Sequence, residues 1–290
     1  MRLVGILVDG RPTIGVEIGG GIAAVSGVDE FFADVEGGVA AARTITAPDA
    51  REYASAVPVP ATAKVLCAGL NYVNHASESK KELPSHPDVF ARWASTLVPG
   101  GVTVPLPSNE PGLDWEGELA AVVGVTLKDA TPEEVEAGIL GYTCLNDLSA
   151  RLHQRATVQW AIGKNADLSA PIGPVIVTRD EIADPYALRL ETRVNGETMQ
   201  STITGEMIFT IGRIGAYASE TMTLRPGDII STGTPQGIGS ARRPAIFLTT
   251  GDVVEVDIEN IGVLSTPIGA QTGTRAATPV SQQPAAQEQK

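Results

Sequence analysis

Leu113-Asp-Trp-Glu-Gly-Glu-Leu-Ala-Ala-Val-Val-Gly124 starts acidic and ends as an unbroken apolar run. The apolar part reads as a buried strand over 119–126. Side chains two apart on a strand share a face, so Glu116 and Glu118 point the same way. Two carboxylates on one face, at the edge of a buried strand, repel unless something positive lies between them. A second apolar run, Ile139-Leu-Gly-Tyr-Thr-Cys-Leu145, leads into Asn146-Asp-Leu-Ser-Ala-Arg151 and presents Asp147. Three acidic oxygens converging from two strands make a site for a hard divalent cation such as Mg²⁺ or Mn²⁺. Taken alone, a Glu-x-Glu pair is also what a solvated strand face looks like. The rest of the chain must weigh between the two.

The chain has 290 residues, enough for a sizeable core as one large domain with a small accessory or as two domains. With 34 acidic residues against 21 basic ones, the net charge is −13. That balance argues against a nucleic-acid or anionic-membrane binder. An acidic small molecule remains a suitable partner if a metal and a few local cations supply positive charge. Cys67 and Cys144 both lie in apolar runs and read as buried thiols of a reducing compartment; their spacing alone does not exclude a disulfide. No segment approaches the ~20 apolar residues of a membrane span. The N-terminus lacks the apolar length of a signal peptide, so the expected location is cytoplasmic.

Residues 2–8 and 13–18 flank Asp9-Gly-Arg-Pro12, a hairpin signal, and Ile22–Val25 is a further short strand. Weak helical spacing covers 31–42. Val57-Pro-Val-Pro60 then breaks regular structure, which predicts a small β-rich N-terminal domain over 1–56 and a main domain over 57–269. Strands fit 64–70, 139–146, 172–177, 188–194, 228–232, 253–258 and 261–264. Helices fit 132–137, 149–160 and 204–221, the last with an apolar stripe that reads as core. The class is therefore mainly β with few helices (α+β). From 270 onward the chain is rich in Thr, Ala, Gln and Pro and reads as a disordered tail.

Six motifs occur together in order: Gly69-Leu-Asn-Tyr-Val-Asn-His75, Asp114-Trp-Glu-Gly-Glu-Leu119, Asn146-Asp147, Gly163-Lys-Asn165, Val194-Asn-Gly196 and Thr232-Gly-Thr-Pro-Gln-Gly237. Over roughly 62–268 the chain resembles the fumarylacetoacetate hydrolase family, in particular its acylpyruvase and 2-hydroxyhepta-2,4-diene-1,7-dioate isomerase-like branch. The resemblance implies a mixed β-sandwich or β-roll enclosing a metal site. It also implies Mg²⁺ held by Glu116, Glu118 and Asp147, with Mn²⁺ or Ca²⁺ as alternatives, and a homodimer. The substrates it implies are 2,4-dioxo acids (acylpyruvates) or related 2-oxo-enedioates.

His75 and Glu78 are spaced i, i+3, sharing a face if 74–80 is a short helix; otherwise His75 is an exposed loop residue. The family's catalytic histidine carries over to His75 as general base, with Glu78 fixing its tautomer. The loop 81–88 suits a lid. Arg151 and Gln154 read as a polar helix face, and Lys164 as an exposed lysine. The resemblance turns Arg151 and Gln154 to the substrate and sets Lys164 beside the metal or the substrate oxygens. Gly233 and Thr234, in a tight turn, offer a backbone N–H and a hydroxyl to the substrate carboxylate. Tyr72 and Ser149 are candidate supporting residues, while His86 and His153 read as surface residues without partners. Arg92, Trp93, Leu152 and Ala166 depart from the family pattern at the pocket border. The expected activity is metal-dependent hydrolysis of an acylpyruvate in aromatic-compound catabolism. The alternatives are an isomerase or decarboxylase of 2-oxo-enedioates or oxaloacetate, and a metal-binding protein without catalysis.

Overall fold

The computed structural model describes residues 1–72 and 85–270. His75, Glu78, residues 81–84 of the 81–88 loop and the tail from 271 lie outside the described residues. In chain order the strands are β1 (Arg2–Val8), β2 (Arg11–Ile18), β3 (Gly21–Gly27), β4 (Lys64–Gly69), β5 (Asp88–Trp93), β6 (Leu97–Pro99), β7 (Val104–Pro105), β8 (Leu113–Asp114) and β9 (Gly117–Val123). They continue with β10 (Ile139–Asn146), β11 (Ser149–Ala150), β12 (Ala170–Thr178), β13 (Arg189–Val194), β14 (Glu197–Ile203), β15 (Ile229–Ser231), β16 (Val253–Ile258) and β17 (Gly262–Gly269). Among the described residues, one sheet runs β3-β2-β1-β12-β10-β9-β15-β4-β5, with β6 beside β12. A second sheet runs β14-β13-β16-β17-β7, and β8 pairs with β11. The protein is mainly β, as its strand patterns predict.

Every residue of β9 and β10 is buried. Leu119, Ala121 and Val123 pack toward Leu190, Val256 and Ile258 of the second sheet and Ile211 and Ile214 of the helix Ile211–Ser219. Ala120 and Val122 pack on the opposite side with Leu3, Ile14, Phe31 and Phe32. Burial on both faces explains why these strands read as continuous apolar runs rather than alternating ones.

The first strands are hydrogen-bonded into this same sheet: β1 lies antiparallel to β12, with Arg2 opposite Val177 and Leu3 opposite Ile176. Asp9 and Gly10 both take positive φ, 51° and 78°, the two-residue turn that joins β1 to β2. The helix expected over 31–42 is split into Val28–Ala33 and Val35–Thr44, because Asp34 breaks the chain and caps the second piece through the Gly37 N–H. The helix expected over 204–221 starts only at Ile211. Asn71 prevents an earlier start: its side chain donates to the Phe209 carbonyl and accepts the Phe209 N–H, while its own carbonyl accepts from Ile208. The helix expected over 149–160 gives way to β11, then two short pieces, Arg151–Arg155 and Ala161–Lys164. Both cysteines are buried and free. Among the described residues, no helix is long and apolar enough to cross a membrane.

Candidate metal centre

The antiparallel register of β9 and β10 builds the site. Gly117 lies opposite Asn146 and Glu118 opposite Leu145, and the Asp147 N–H extends the pairing to the Glu116 carbonyl at 2.8 Å. The start of one strand and the end of the other thus present Glu116, Glu118 and Asp147 together. Each offers one oxygen, all within 4.8 Å of one another, and all three residues are buried. Gly117 faces the other way: a Cβ there would meet the Thr192 hydroxyl at 2.1 Å and Val256 at 3.2 Å. Only glycine lets the second sheet approach this closely between two carboxylates of the cluster. Gly117→Ala is therefore expected to displace both carboxylates and weaken Mg²⁺ binding at least tenfold by calorimetry, with a stability loss of about 1–3 kcal/mol from overpacking.

Buried cations hold the carboxylates. The Lys164 ammonium lies 2.6 Å from Glu116 Oε2 and 2.5 Å from Asp147 Oδ2. Arg92 grips Asp147 Oδ1 through Nε and also donates to the Leu148 carbonyl and the Ser169 hydroxyl. Arg151 reaches Glu116 Oε1 at 2.6 Å and Asp114 Oδ2 at 2.8 Å. Glu118 is held differently: the Ser231 hydroxyl and the Gly233 N–H both donate to its Oε2. Burial, and then the Asp147 and Glu116 charges, push the Glu118 carboxyl well above the usual carboxylate range. For Lys164, burial works against the charge, but the Asp147 and Glu116 carboxylates outweigh it and hold the group above its ordinary value.

Four carboxylates (Asp114, Glu116, Glu118, Asp147) gather here against three cations (Arg92, Arg151, Lys164). Oxygens opposite each other lie about 4.2 Å apart around Mg²⁺ and about 4.8 Å around Ca²⁺. The donor set is all oxygen, its spacing suits such ions, and its charge is in deficit of positive. The residues present fit a hard divalent cation.

The fumarylacetoacetate (FAA) hydrolase C-terminal family matches residues 64–269, a span that contains all of these groups. The chain belongs to the fumarylacetoacetate hydrolase family. It is 42% identical over 208 residues to the mitochondrial oxaloacetate tautomerase Fahd2a of Rattus norvegicus, a match covering 71% of this chain and 66% of that protein. It is 41% identical over 208 residues to the 2,4-didehydro-3-deoxy-L-rhamnonate hydrolase of Sphingomonas sp. (strain SKA58), covering 71% of this chain and 73% of that one. The crystal structure of 2-hydroxyhepta-2,4-diene-1,7-dioate isomerase from Mycobacterium marinum superposes with a TM-score of 0.75 at 32% identity, covering 94% of this chain and all of that one. The chain thus spans about two thirds of the length of the tautomerase.

In this family member Glu116 and Glu118 open onto a cleft of about 310 Å³, also lined by Arg151, Gln154, Lys164 and Thr234 among others, while Asp147 is fully buried. The structure thus gathers Lys164, Arg151 and Gln154 around the carboxylates, although all three carry a surface reading in the sequence. Arg151 Nη1 donates to Gln154 Oε1 at 2.8 Å, so the amide nitrogen is the end of Gln154 left for a ligand. The Gly233 N–H, read in the sequence as a donor to substrate, donates here to Glu118 at 3.0 Å, where it orients one of the clustered carboxylates. Thr234 lines the cleft, but its hydroxyl donates to the Gly117 carbonyl and accepts from Gln200. His153 is not partnerless either, since its Nδ1 lies 2.8 Å from Glu110 Oε2.

Two residues at the centre escaped the sequence reading. Asp114 continues the alternation of Glu116 and Glu118 two residues upstream, and that period-two signal was available. Arg92 stood out only as a departure from the family pattern; its pairing with Asp147, 55 residues away, has no local signature.

Proposed function

We propose that this family enzyme is a divalent-metal-dependent hydrolase that cleaves the carbon–carbon bond of an acylpyruvate, a 2,4-dioxo acid such as fumarylpyruvate. Mg²⁺ is the proposed ion and a homodimer the proposed working unit. One observation carries the reading: three buried carboxylates, steadied by buried cations, converge beside a cleft that two of them line. An ion held by Glu116, Glu118 and Asp147 would supply Lewis-acid stabilisation of the negative charge that develops on the 2-oxo oxygen.

The chain's own residues do the rest. Lys164 and Arg151 keep the ligand carboxylates in place and offset the charge of an acidic substrate. Gln154 presents its amide, and Phe90 and Trp160, 5.4 Å apart edge to face, form an apolar wall of the cleft. His75, held by Glu78, takes the proton of a water that attacks the 4-carbonyl carbon. The C3–C4 bond breaks, its electron pair passes to C3 as the pyruvate enolate, the acyl half leaves as a carboxylic acid, and the proton held by His75 passes to C3 to give pyruvate. His75→Ala is expected to bind Mg²⁺ with unchanged affinity yet lose at least about 10²-fold in hydrolysis, the range for a positioned base. Full activity in that variant would remove His75 from the mechanism.

Oxaloacetate keto–enol tautomerisation is the second reading, favoured by the likeness to the rat tautomerase. It uses the same enolate without attack by water. A Mg²⁺-supplemented panel of acylpyruvates, oxaloacetate and 2-hydroxy-dienedioates, with products identified, separates the two. Pyruvate and a carboxylic acid support hydrolysis. Interconversion of oxaloacetate tautomers without cleavage of any acylpyruvate overturns it.

A further inference from the structure

We infer that Arg155 sets specificity at the far end of the cleft, selecting a 2-oxo acid that carries a second, distal carboxylate. The inference rests on the 2-oxo acid reading and adds to it a named residue and a charge requirement.

Three cations line the cleft among the described residues: Arg151, Lys164 and Arg155. The first two are committed to Asp114, Glu116 and Asp147. Arg155 is exposed and makes no ion pair or side-chain hydrogen bond with the described residues. Its position is unfavourable on its own account. Arg151 and Arg155 are four apart on the helix Arg151–Arg155, so two like charges share one face. Carboxylates cancel the charge of Arg151, and nothing on the described chain cancels that of Arg155.

Arg155 places a positive charge without a partner among the described residues at the cleft wall, one helical turn beyond Arg151. A second carboxylate on the ligand would give it a partner, which a guanidinium receives through two parallel N–H donors. Phe90 and Trp160 give the carbon chain between the two charged ends an apolar wall.

The test uses 2-oxoglutarate and 2-oxopentanoate, which share a five-carbon 2-oxo acid frame and differ in the distal carboxylate. Neither has a 4-oxo group, so calorimetry on the Mg²⁺-loaded full chain reads binding without acylpyruvate cleavage. The unaltered protein is expected to bind 2-oxoglutarate at least tenfold more tightly than 2-oxopentanoate. Arg155→Gln should bring that ratio close to one. Arg155→Lys should keep part of it, since it preserves the charge and loses the fork. Equal binding of the two acids by the unaltered protein, or an undiminished ratio in Arg155→Gln, overturns the role of Arg155 and leaves the 2-oxo acid reading standing. Failure of both acids to bind overturns that reading and takes this inference with it.

Discussion

Asp147→Asn is expected to abolish Mg²⁺ binding and turnover together while leaving a folded protein. Asp147 is fully buried, and each of its oxygens has a cationic partner, Arg92 on one and Lys164 on the other. Asparagine keeps the volume and one acceptor but removes the charge that a hard cation needs. Changes in residues that merely support a ligand lower metal affinity about 10–100-fold. Loss of the ligand itself should exceed about 100-fold by calorimetry. Asp147→Ala is the harsher variant, since it strands two buried cations, and breaking a buried pair costs about 3–5 kcal/mol. Circular dichroism on both variants separates metal loss from unfolding. Wild-type Mg²⁺ affinity in a folded Asp147→Asn protein would remove Asp147 from the ligand set.

Asp114→Asn should produce the second large effect, on stability and on the metal at once. Asp114 is fully buried and accepts four donors: the N–H groups of Trp115 at 2.9 Å, Gly239 at 2.7 Å and Ser240 at 2.9 Å, and Arg151 Nε at 2.8 Å. An amide in its place turns two N–H bonds toward groups that are themselves donors. The loop around Gly239 and the Arg151 guanidinium both lose their anchor, and with them the 2.6 Å contact of Arg151 with Glu116. The expected loss is about 3–5 kcal/mol, read as a Tm lower by about 6–10 °C. Mg²⁺ affinity should fall about 10–100-fold. An unchanged Tm together with unchanged affinity would show that Asp114 neither holds the loop nor positions Glu116.

The parts legible in the sequence are those whose signal is local or repeated. Val122, Leu145 and their neighbours form apolar runs because β9 and β10 are covered on both faces. Asp9-Gly10 marks its hairpin because few residues tolerate two successive positive φ values. Asn195-Gly196 marks another, with φ of 52° and 81°, yet β14 beyond it was missed. Its segment Glu197–Ile203 is polar, and what it buries is Gln200 and Thr202, so hydrophobic alternation does not reveal it. The late start of the helix at Ile211 was hidden for another reason: Asn71, some 138 residues away, takes the backbone groups that the helix would need. The ligand carboxylates stood out through spacing and company. Arg92 was illegible because a buried cation is explained by its partner, and the partner lies 55 residues away, just past the end of β10.

Lys164 lies where a visiting ion's charge is also wanted, between Glu116 and Asp147. In small zinc domains the ion's binding energy is the folding energy, and the empty chain is unfolded. Here a tethered ammonium, with Arg92 and Arg151 behind it, already quiets most of the repulsion that would otherwise splay the acidic cluster. A divalent ion bound there would meet carboxylates that the chain's own cations already hold in place, so chelating it is expected to cost activity without unfolding the chain.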